Sequence, residues 1–464
     1  DLLRFQKWEA AFWVARRALS IEKEDSELLE LVIDCAERFD NRFEAALAKR
    51  RSHRKSSEQD KSRPGVNCGG GRPRITSSRI LLVTNLFPPQ ELGGYGRLMW
   101  EFARMLRERG HDLRVVTSDT SYLGPVAVGE EGVARTLLLF GGWRDGHLHV
   151  KGDERITEVS SHNAQVIEKE IECFRPDVCL VGNLDLIGPE VLGRLLKHGI
   201  PVLHHLGNPS PGYPPEMSPQ TGLYRLCAAS DWLRDLVWKK GYPLEKIDVV
   251  YPGARVSEYL DHGVKDLSKL SIAYASVVLP YKGAHVLVDA LIRLHGLGID
   301  FTATIAGETT DPSFYESLVR VCRESGIGGR VAFVGHLDRK GLWELFRESN
   351  VLVFPSLVDE AFGISQVEAM AAGLCVVSSA GGGAAEIIED GVTGCTFTPG
   401  NVEELTDRLR MLAVGQKRFE ALRLAGQAKA VQMFDSEEAL TRMEEIWYQL
   451  VAAIESGVPF EAGF

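Results

Sequence analysis

The stretch VFPSLVDEAFGISQVEAMAAG, residues 353–373, decides the fold class of this chain. It opens on an apolar run ending at Phe354, Pro355 and Ser356, then passes a loop carrying Glu360, then enters QVEAMAAG. A strand covered by helices on both faces reads as a continuous apolar run, so the first part predicts a buried parallel strand. The last part predicts a helix that Gly373 ends. Ser365-x-x-Glu368 fits a capping box, in which the two side chains satisfy free backbone N–H groups. Glu368 therefore has two readings. It is a helix cap, or it is a carboxylate at a cleft, where it can accept two hydrogen bonds from a vicinal diol such as a ribose. Glu360 is a surface loop acid or a ligand-binding one. A helix starting at such a place favours an anion through its free N–H groups and dipole. A glycosidase-type pair would flank a scissile bond from opposite sides, whereas these two glutamates flank one helix entry.

The same strand–helix alternation extends outward. ILLVTNLFPP begins a first series near Ser78, followed by GGYGRLMWEFARMLRERGH as loop and helix. In that helix Leu98, Met99, Phe102, Ala103 and Leu106 recur at helical spacing. Arg97/Glu101 and Arg104/Glu108 are expected as outward i,i+4 pairs, and Gly110 as the stop. Further strands are predicted at LRVVTS, VARTLLLF, DVCLVG, PVLHHLG, RLCAAS and IDVVYPG. A second series holds SIAYASVVL, FTATIAG, RVAFVG, VLVFPS and LCVVSS. Alternation of this kind implies doubly wound parallel sheets, whose ligands bind outside the carboxyl ends of the strands. The expected architecture is α/β, two Rossmann-like domains facing a cleft. The first spans 78–265 and the second 266–435, and a helix capped by Ser436 follows at 436–456. Residues 1–48 are helical in pattern and suggest a small appendage, similar to a worn tetratricopeptide-like repeat. Residues 49–77 are rich in Lys, Arg, Ser and Gly, as a basic disordered linker would be.

A chain of 464 residues, 44% hydrophobic and 25% charged, is an ordinary globular composition with room for two or three domains. Its formal net charge of −11 argues against a nucleic-acid binder. Eight scattered cysteines without a CxxC pair read as reduced thiols of a cytoplasmic protein. No apolar run is long enough for a membrane span. The basic linker and the arginine-rich helix at 97–109 leave peripheral contact with the inner face of a membrane as an expectation.

Several chemistries find no motif: there is no GxxxxGK[ST], no HExxH, no GxSxG and no Asp-x-Asp. A diphosphate bound here must be neutralised by side chains and backbone dipoles, so neither metal nor cofactor is expected. Gly93-Gly94 follows a strand and precedes a helix, where glycines serve turn geometry or let amides approach an anion. Lys282-Gly283 lies at the carboxyl end of the first strand of the second series. It is a solvated loop lysine or a phosphate ligand.

From about Ser78 to Val451 the chain resembles the retaining nucleotide-sugar glycosyltransferases of family 4, which have the GT-B fold. The resemblance is carried by NLFPPQELGGYGRLMWEFARML, LPYKGAHVLVDAL, IAGE, RVAFVGHLDRKGLWELF, FDSEEALTRMEEIWYQL and, most specifically, the glutamate–seven–glutamate signature in VFPSLVDEAFGISQVEAMAAG. It implies that Glu368 binds the donor ribose and Glu360 the hydroxyls of the transferred sugar. It implies backbone contacts from Phe362, Gly363 and Ile364 to sugar and diphosphate, and approach of Gly93 and Gly94 from the other domain. Lys282 would neutralise the departing diphosphate. Gly307, His336 and Leu337 would line the donor and its base. Two departures stand out. The family usually carries an arginine five residues before the lysine, where this chain has Val277, and Arg97 is a candidate replacement. A family histidine falls at Gly207, so His205, two residues earlier on the same strand face, is the substitute candidate for catalysis. For His204 and His205 alike, a core histidine is the competing reading.

The implied activity is retaining, metal-independent transfer of a sugar from a nucleotide-sugar to a glycan, lipid-linked or small-molecule hydroxyl, in cell-surface polysaccharide or glycoconjugate synthesis. The alternatives are another GT-B activity (an epimerase or a phosphorylase) and a degenerate sugar-nucleotide binder. The N-terminal helices are an expected protein-docking module.

Overall fold

The computed structural model describes residues 77–455 except 92, 126–130, 145–146 and 262. The expected appendage at 1–48 and all but the last residue of the expected linker lie outside the described residues. The first lobe contains β1 (Arg79–Val83), β2 (Asp112–Ser118), β3 (Val133–Leu137), β4 (Gly141–Arg144), β5 (His147–Val150), β6 (Val178–Val181), β7 (Val202–Leu206), β8 (Tyr224–Ala228) and β9 (Ile247–Val249). Seven of these form one parallel sheet in the order β3-β2-β1-β6-β7-β8-β9, and β4 pairs with β5 as a separate antiparallel hairpin. The second lobe contains β10 (Leu270–Ala275), β11 (Phe301–Ala306), β12 (Val331–Gly335), β13 (Val351–Phe354), β14 (Cys375–Ser378) and β15 (Cys395–Thr396). They pair as β12-β11-β10-β13-β14-β15, all parallel. In both sheets the strand order reverses beside the first strand, at β1/β6 and at β10/β13. Loops diverge at such switch points and leave a crevice.

The helices are α1 (Tyr95–Glu108), α2 (Asp153–Phe174), α3 (Glu190–Lys197), α4 (Asp231–Lys239), α5 (Val256–Tyr259), α6 (Ala284–Gly296), α7 (Pro312–Glu324), α8 (Arg339–Glu348), α9 (Ile364–Ala371), α10 (Val402–Val414), α11 (Gln416–Met433) and α12 (Ser436–Glu455). Helix α1 buries the predicted stripe, with Met99, Phe102, Ala103 and Leu106 fully inaccessible, and Gly110 at φ +90° follows its end. Of the expected outward pairs, Arg104/Glu108 forms, loosely, and Arg97/Glu101 does not. Glu101 is buried and bonds Arg104 at 2.9 Å and Arg339 of the other lobe, while Arg97 pairs with Glu91 at 3.1 Å. Arg104 meets Glu108 only at 3.9 Å. The face carrying Glu101 looks at the second lobe rather than at water.

The chain crosses between lobes twice, and the crossings lie side by side. Ala254 N–H donates to Phe434 O at 2.9 Å, and Ser436 N–H donates to Ala254 O at 2.9 Å. The second crossing delivers α12 onto the first lobe. There Leu440, Met443, Ile446, Trp447 and Leu450 join a core with Phe102, Met105 and Leu203. Each such side chain contributes about 1.5–3 kcal/mol by leaving water. Arg109 adds ion pairs to Glu437 at 2.8 Å and Glu444 at 2.6 Å. The cap of α12 is Asp435, whose carboxylate accepts from Glu437 N–H at 3.1 Å, whereas the expected Ser436 hydroxyl is buried without a hydrogen-bond partner.

Candidate active site

Residues just past the strand ends of both sheets line one cleft of about 370 Å³. Gly93 and Gly94 enter from β1 and Gly207 from β7. Val277 follows β10, Gly307 β11, His336 β12 and Glu360 β13. The cleft thus sits at the carboxyl ends of both sheets, as the alternation predicts.

Lys282 ends a single 3-10 turn, Pro280–Lys282. The next residue, Gly283, has φ +73°, and a Cβ there would lie 1.9 Å from Pro355 O. Glycine alone lets the turn press on the end of β13, and that contact aims Lys282 at Glu360. Lys282 Nζ donates to Glu360 Oε1 at 2.6 Å. Ser356 Oγ donates to the same oxygen, also at 2.6 Å. The Glu360 backbone is tied down too: Gly383 N–H donates to its carbonyl at 2.7 Å.

Glu368 settles the capping question. The N-cap of α9 is Gly363 at φ +112°, without a side-chain cap, so Ser365 falls inside the helix and no capping box forms. Glu368 sits on the next turn, 8% exposed, facing the cleft. Burial raises its pKa above the ordinary carboxylate value, while Arg97, a hydrogen bond from the Tyr259 hydroxyl, and Arg339 pull it back. Burial and the Glu368 carboxylate in turn raise the pKa of Tyr259. The uncapped first turn of α9 leaves N–H groups free for an anion. Phe362 sends its ring into the lobe junction against Tyr251 and Phe434, at centroid separations of 5.9 and 5.5 Å, which leaves its backbone to the cleft.

Gly307, at φ +150°, is required where β11 approaches β10: a Cβ would lie 1.8 Å from Ser276 O. His336 and Leu337 line the same end of the cleft, with His336 Nδ1 3.8 Å from Glu308 Oε1. Three further cations line the cleft, and each has an acidic partner. Arg97 pairs with Glu91, Arg255 with Glu108 at 3.0 Å, and Arg339 with Glu101 and Glu258.

His205 lines the same cleft from the first lobe. It is fully buried on β7, and burial lowers its pKa to about 4, so the ring is neutral. Tyr95 stacks on it at 5.9 Å and donates its hydroxyl to the His205 carbonyl at 2.6 Å. The Tyr95 ring also fills the space over Gly207, where a Cβ would lie 1.9 Å from it. His204 is buried beside it, with its pKa lowered to about 3 by burial and by His205, and its Nδ1 bonds the Tyr224 hydroxyl at 2.8 Å. It behaves as a core histidine.

Arg339, Tyr259 and Tyr95 are cleft or near-cleft residues to which no motif pointed. Neither did any motif point to a further contact between the lobes. Glu386, at the end of the 3-10 turn Gly383–Glu386, accepts from the N–H groups of Asp231 and Trp232 at 3.1 and 2.7 Å. The Tyr251 hydroxyl lies 2.8 Å from carboxylate oxygens of both Glu386 and Asp231, which share its one proton. A carboxylate of the second lobe therefore sits on the N-terminus of α4 in the first. Among the described residues no group of three or more His, Cys, Asp or Glu is arranged to hold a metal, and no helix is long and apolar enough to cross a membrane.

Residues 92–258 match the family described as Glycosyltransferase Family 4, and residues 258–428 match Glycosyl transferases group 1. The two matches run through both lobes, and the chain belongs to the GT-B glycosyltransferases. A glycogen synthase of Mycobacterium tuberculosis (strain ATCC 25618 / H37Rv) is 24% identical over 375 residues, 74% of this chain and 89% of that protein. A D-inositol 3-phosphate glycosyltransferase of Xylanimonas cellulosilytica is 25% identical over 397 residues, 77% of this chain and 92% of that protein. Among solved structures, Anabaena Alr3699/HepE in complex with UDP and glucose superposes with a TM-score of 0.61 at 21% identity, covering 80% of this chain and 100% of that one. Sucrose-phosphate synthase from Thermosynechococcus elongatus gives 0.65 at 18%, covering 81% and 100%.

Proposed function

We propose that this chain transfers a sugar from a nucleoside-diphosphate sugar to an acceptor hydroxyl with retention of anomeric configuration, and that side chains rather than a metal neutralise the diphosphate. The observation that carries the reading is the donor-side constellation: Lys282 and Glu360 in contact at the mouth of α9, with Glu368 buried one turn further in. Glu368 accepts from the ribose hydroxyls. Lys282 and the uncapped first turn of α9 meet the diphosphate, and they stabilise the charge that builds on it as the glycosidic bond breaks. Glu360 accepts from hydroxyls of the transferred sugar and fixes its orientation. Arg97 adds a second cation from the first lobe, where Val277 offers none. Retention follows if the acceptor attacks from the face the diphosphate leaves, with a phosphate oxygen taking the acceptor proton. Neutral, enclosed His205 holds Tyr95 in place and takes no proton in this scheme.

UDP and UDP-glucose in the Anabaena neighbour, and ADP in the starch synthase IV neighbour from Arabidopsis thaliana, support a nucleoside-diphosphate donor without fixing the base. WaaB and WaaG, neighbours described as lipopolysaccharide glycosyltransferases, support a role in cell-surface glycan synthesis. The test is a panel of nucleotide sugars with and without chelator. It is read by nucleoside-diphosphate release and by the anomeric configuration of the product. Full transferase activity in both Lys282→Ala and Glu360→Gln would sink the assignment.

A further inference from the structure

The Lys282–Glu360 contact raises a question of competition. Lys282 Nζ and Ser356 Oγ both address Oε1 of Glu360. Both members of the pair are largely shielded from water, with side-chain exposures of 18% and 16%. A charge pair at 2.6 Å in such surroundings is strong enough to rival a bound phosphate for the same ammonium. We propose that Glu360, besides orienting the sugar, competes with the diphosphate for Lys282 and thereby drives release of the nucleoside-diphosphate product. This rests on the donor reading above.

The intact donor brings hydroxyls to Glu360. A carboxylate that accepts from them has its charge compensated, so Lys282 can turn to the diphosphate at little cost. Once the sugar has left, those hydroxyls are gone. Glu360 then faces Lys282 again, and the phosphate must share or lose its cation. The site discriminates between substrate and product through one acid placed on the product's own counter-ion. Arg97 and Arg339 are paired instead with Glu91, Glu101 and Glu258, to none of which the donor reading assigns a sugar hydroxyl, so the same discrimination is not expected of them.

The prediction runs against the usual effect of removing a binding residue. Glu360→Gln keeps the size of the side chain and one acceptor oxygen but removes the charge that holds Lys282. UDP, ADP and GDP are titrated by calorimetry into wild type, Glu360→Gln, Lys282→Ala and the double variant, with melting temperatures as a check on folding. If Glu360→Gln is unstable, Glu360→Ala takes its place. The expected result is that the nucleoside diphosphate preferred by wild type binds Glu360→Gln at least about tenfold more tightly. The gain should vanish when Lys282 is also alanine. Unchanged or weaker binding by Glu360→Gln, where wild type binds and Lys282→Ala binds less well, overturns the inference and leaves the donor reading standing. A gain that persists without Lys282 also overturns it, because the effect is then not competition for that ammonium. If no probe binds any of the four proteins, the donor reading fails and the inference fails with it.

Discussion

Replacing Glu386 tests whether the lobes hold the cleft closed through one carboxylate. Its side chain accepts two backbone N–H bonds from the N-terminus of α4 and one hydroxyl bond from Tyr251. The residue is only half-buried, so all three groups regain water when the lobes part. Each bond then contributes about 0.5–1.5 kcal/mol net, and the anion at the helix N-terminus about 0.3–1 kcal/mol. Part of this is offset, because Glu386 lies across Tyr251 from Asp231, a like charge. About 2–3 kcal/mol remains, so Glu386→Ala should shift the closed-to-open ratio roughly 30- to 150-fold toward open. Glu386→Gln keeps an acceptor and should lose less than half of that. The lobe arrangement is read by small-angle scattering, and affinity for a nucleoside diphosphate by calorimetry. Because the lining comes from both lobes, apparent affinity falls with the closed fraction. The expected order is wild type, Gln, Ala in both closure and affinity. Identical scattering and affinity in all three proteins would refute the reasoning.

Other perturbations address the site itself. Glu368 has a pKa raised by burial above its ordinary 4.5, so its contribution to stability is lost as pH rises through the raised value. Glu368→Gln should therefore melt no lower than wild type at pH 7 and show no such advantage below pH 4.5, while its donor affinity drops. A variant that melts markedly lower at neutral pH would show the ionised side chain to be structurally necessary. Arg97→Ala should weaken nucleoside-diphosphate binding about tenfold, and Val277→Arg in that background should restore part of it. Equal binding by all three proteins would remove Arg97 from the diphosphate site. Gly283→Ala places a Cβ against Pro355 O at φ +73° and should lower stability by about 2 kcal/mol or more. It should also abolish transfer by moving Lys282, and wild-type melting with full turnover would contradict that placement.

What was legible in the sequence follows from where its information is local. The apolar runs around Leu81, Ile272 and Val351 mark strands without any partner being known, because helices cover both faces of the sheets. Lys282, Glu360 and Glu368 were singled out by the resemblance to family 4; the residues by themselves left a solvated lysine, a loop acid and a helix cap as open readings. The capping alternative stayed open because Ser365-x-x-Glu368 is a local pattern, whereas helix entry is set by Gly363 in a left-handed conformation. Glu101 was misjudged for the opposite reason. Its partner Arg339 is far along the chain, and helical spacing does not record that a second lobe faces that turn. Tyr259, Tyr251 and Glu386 belong to the same class, made only by the approach of the two lobes. The cover of Tyr95 over His205 was equally unreadable, since it depends on the absence of a side chain at Gly207.

The paired crossings at Ala254 and Phe434–Ser436 have a mechanical consequence. Two rigid bodies joined by a single strand can swing and twist about it. Here two strands run abreast, locked to each other by the bonds between Ala254 and the Phe434–Ser436 segment. Twisting would shear those bonds, while bending leaves them intact. The doubled backbone therefore favours motion like that of a door over twisting, with the two bonds adding about 1–3 kcal/mol against shear. Lys282, Glu360 and Glu368 travel on one leaf, and Gly93, Gly94 and Arg97 travel on the other.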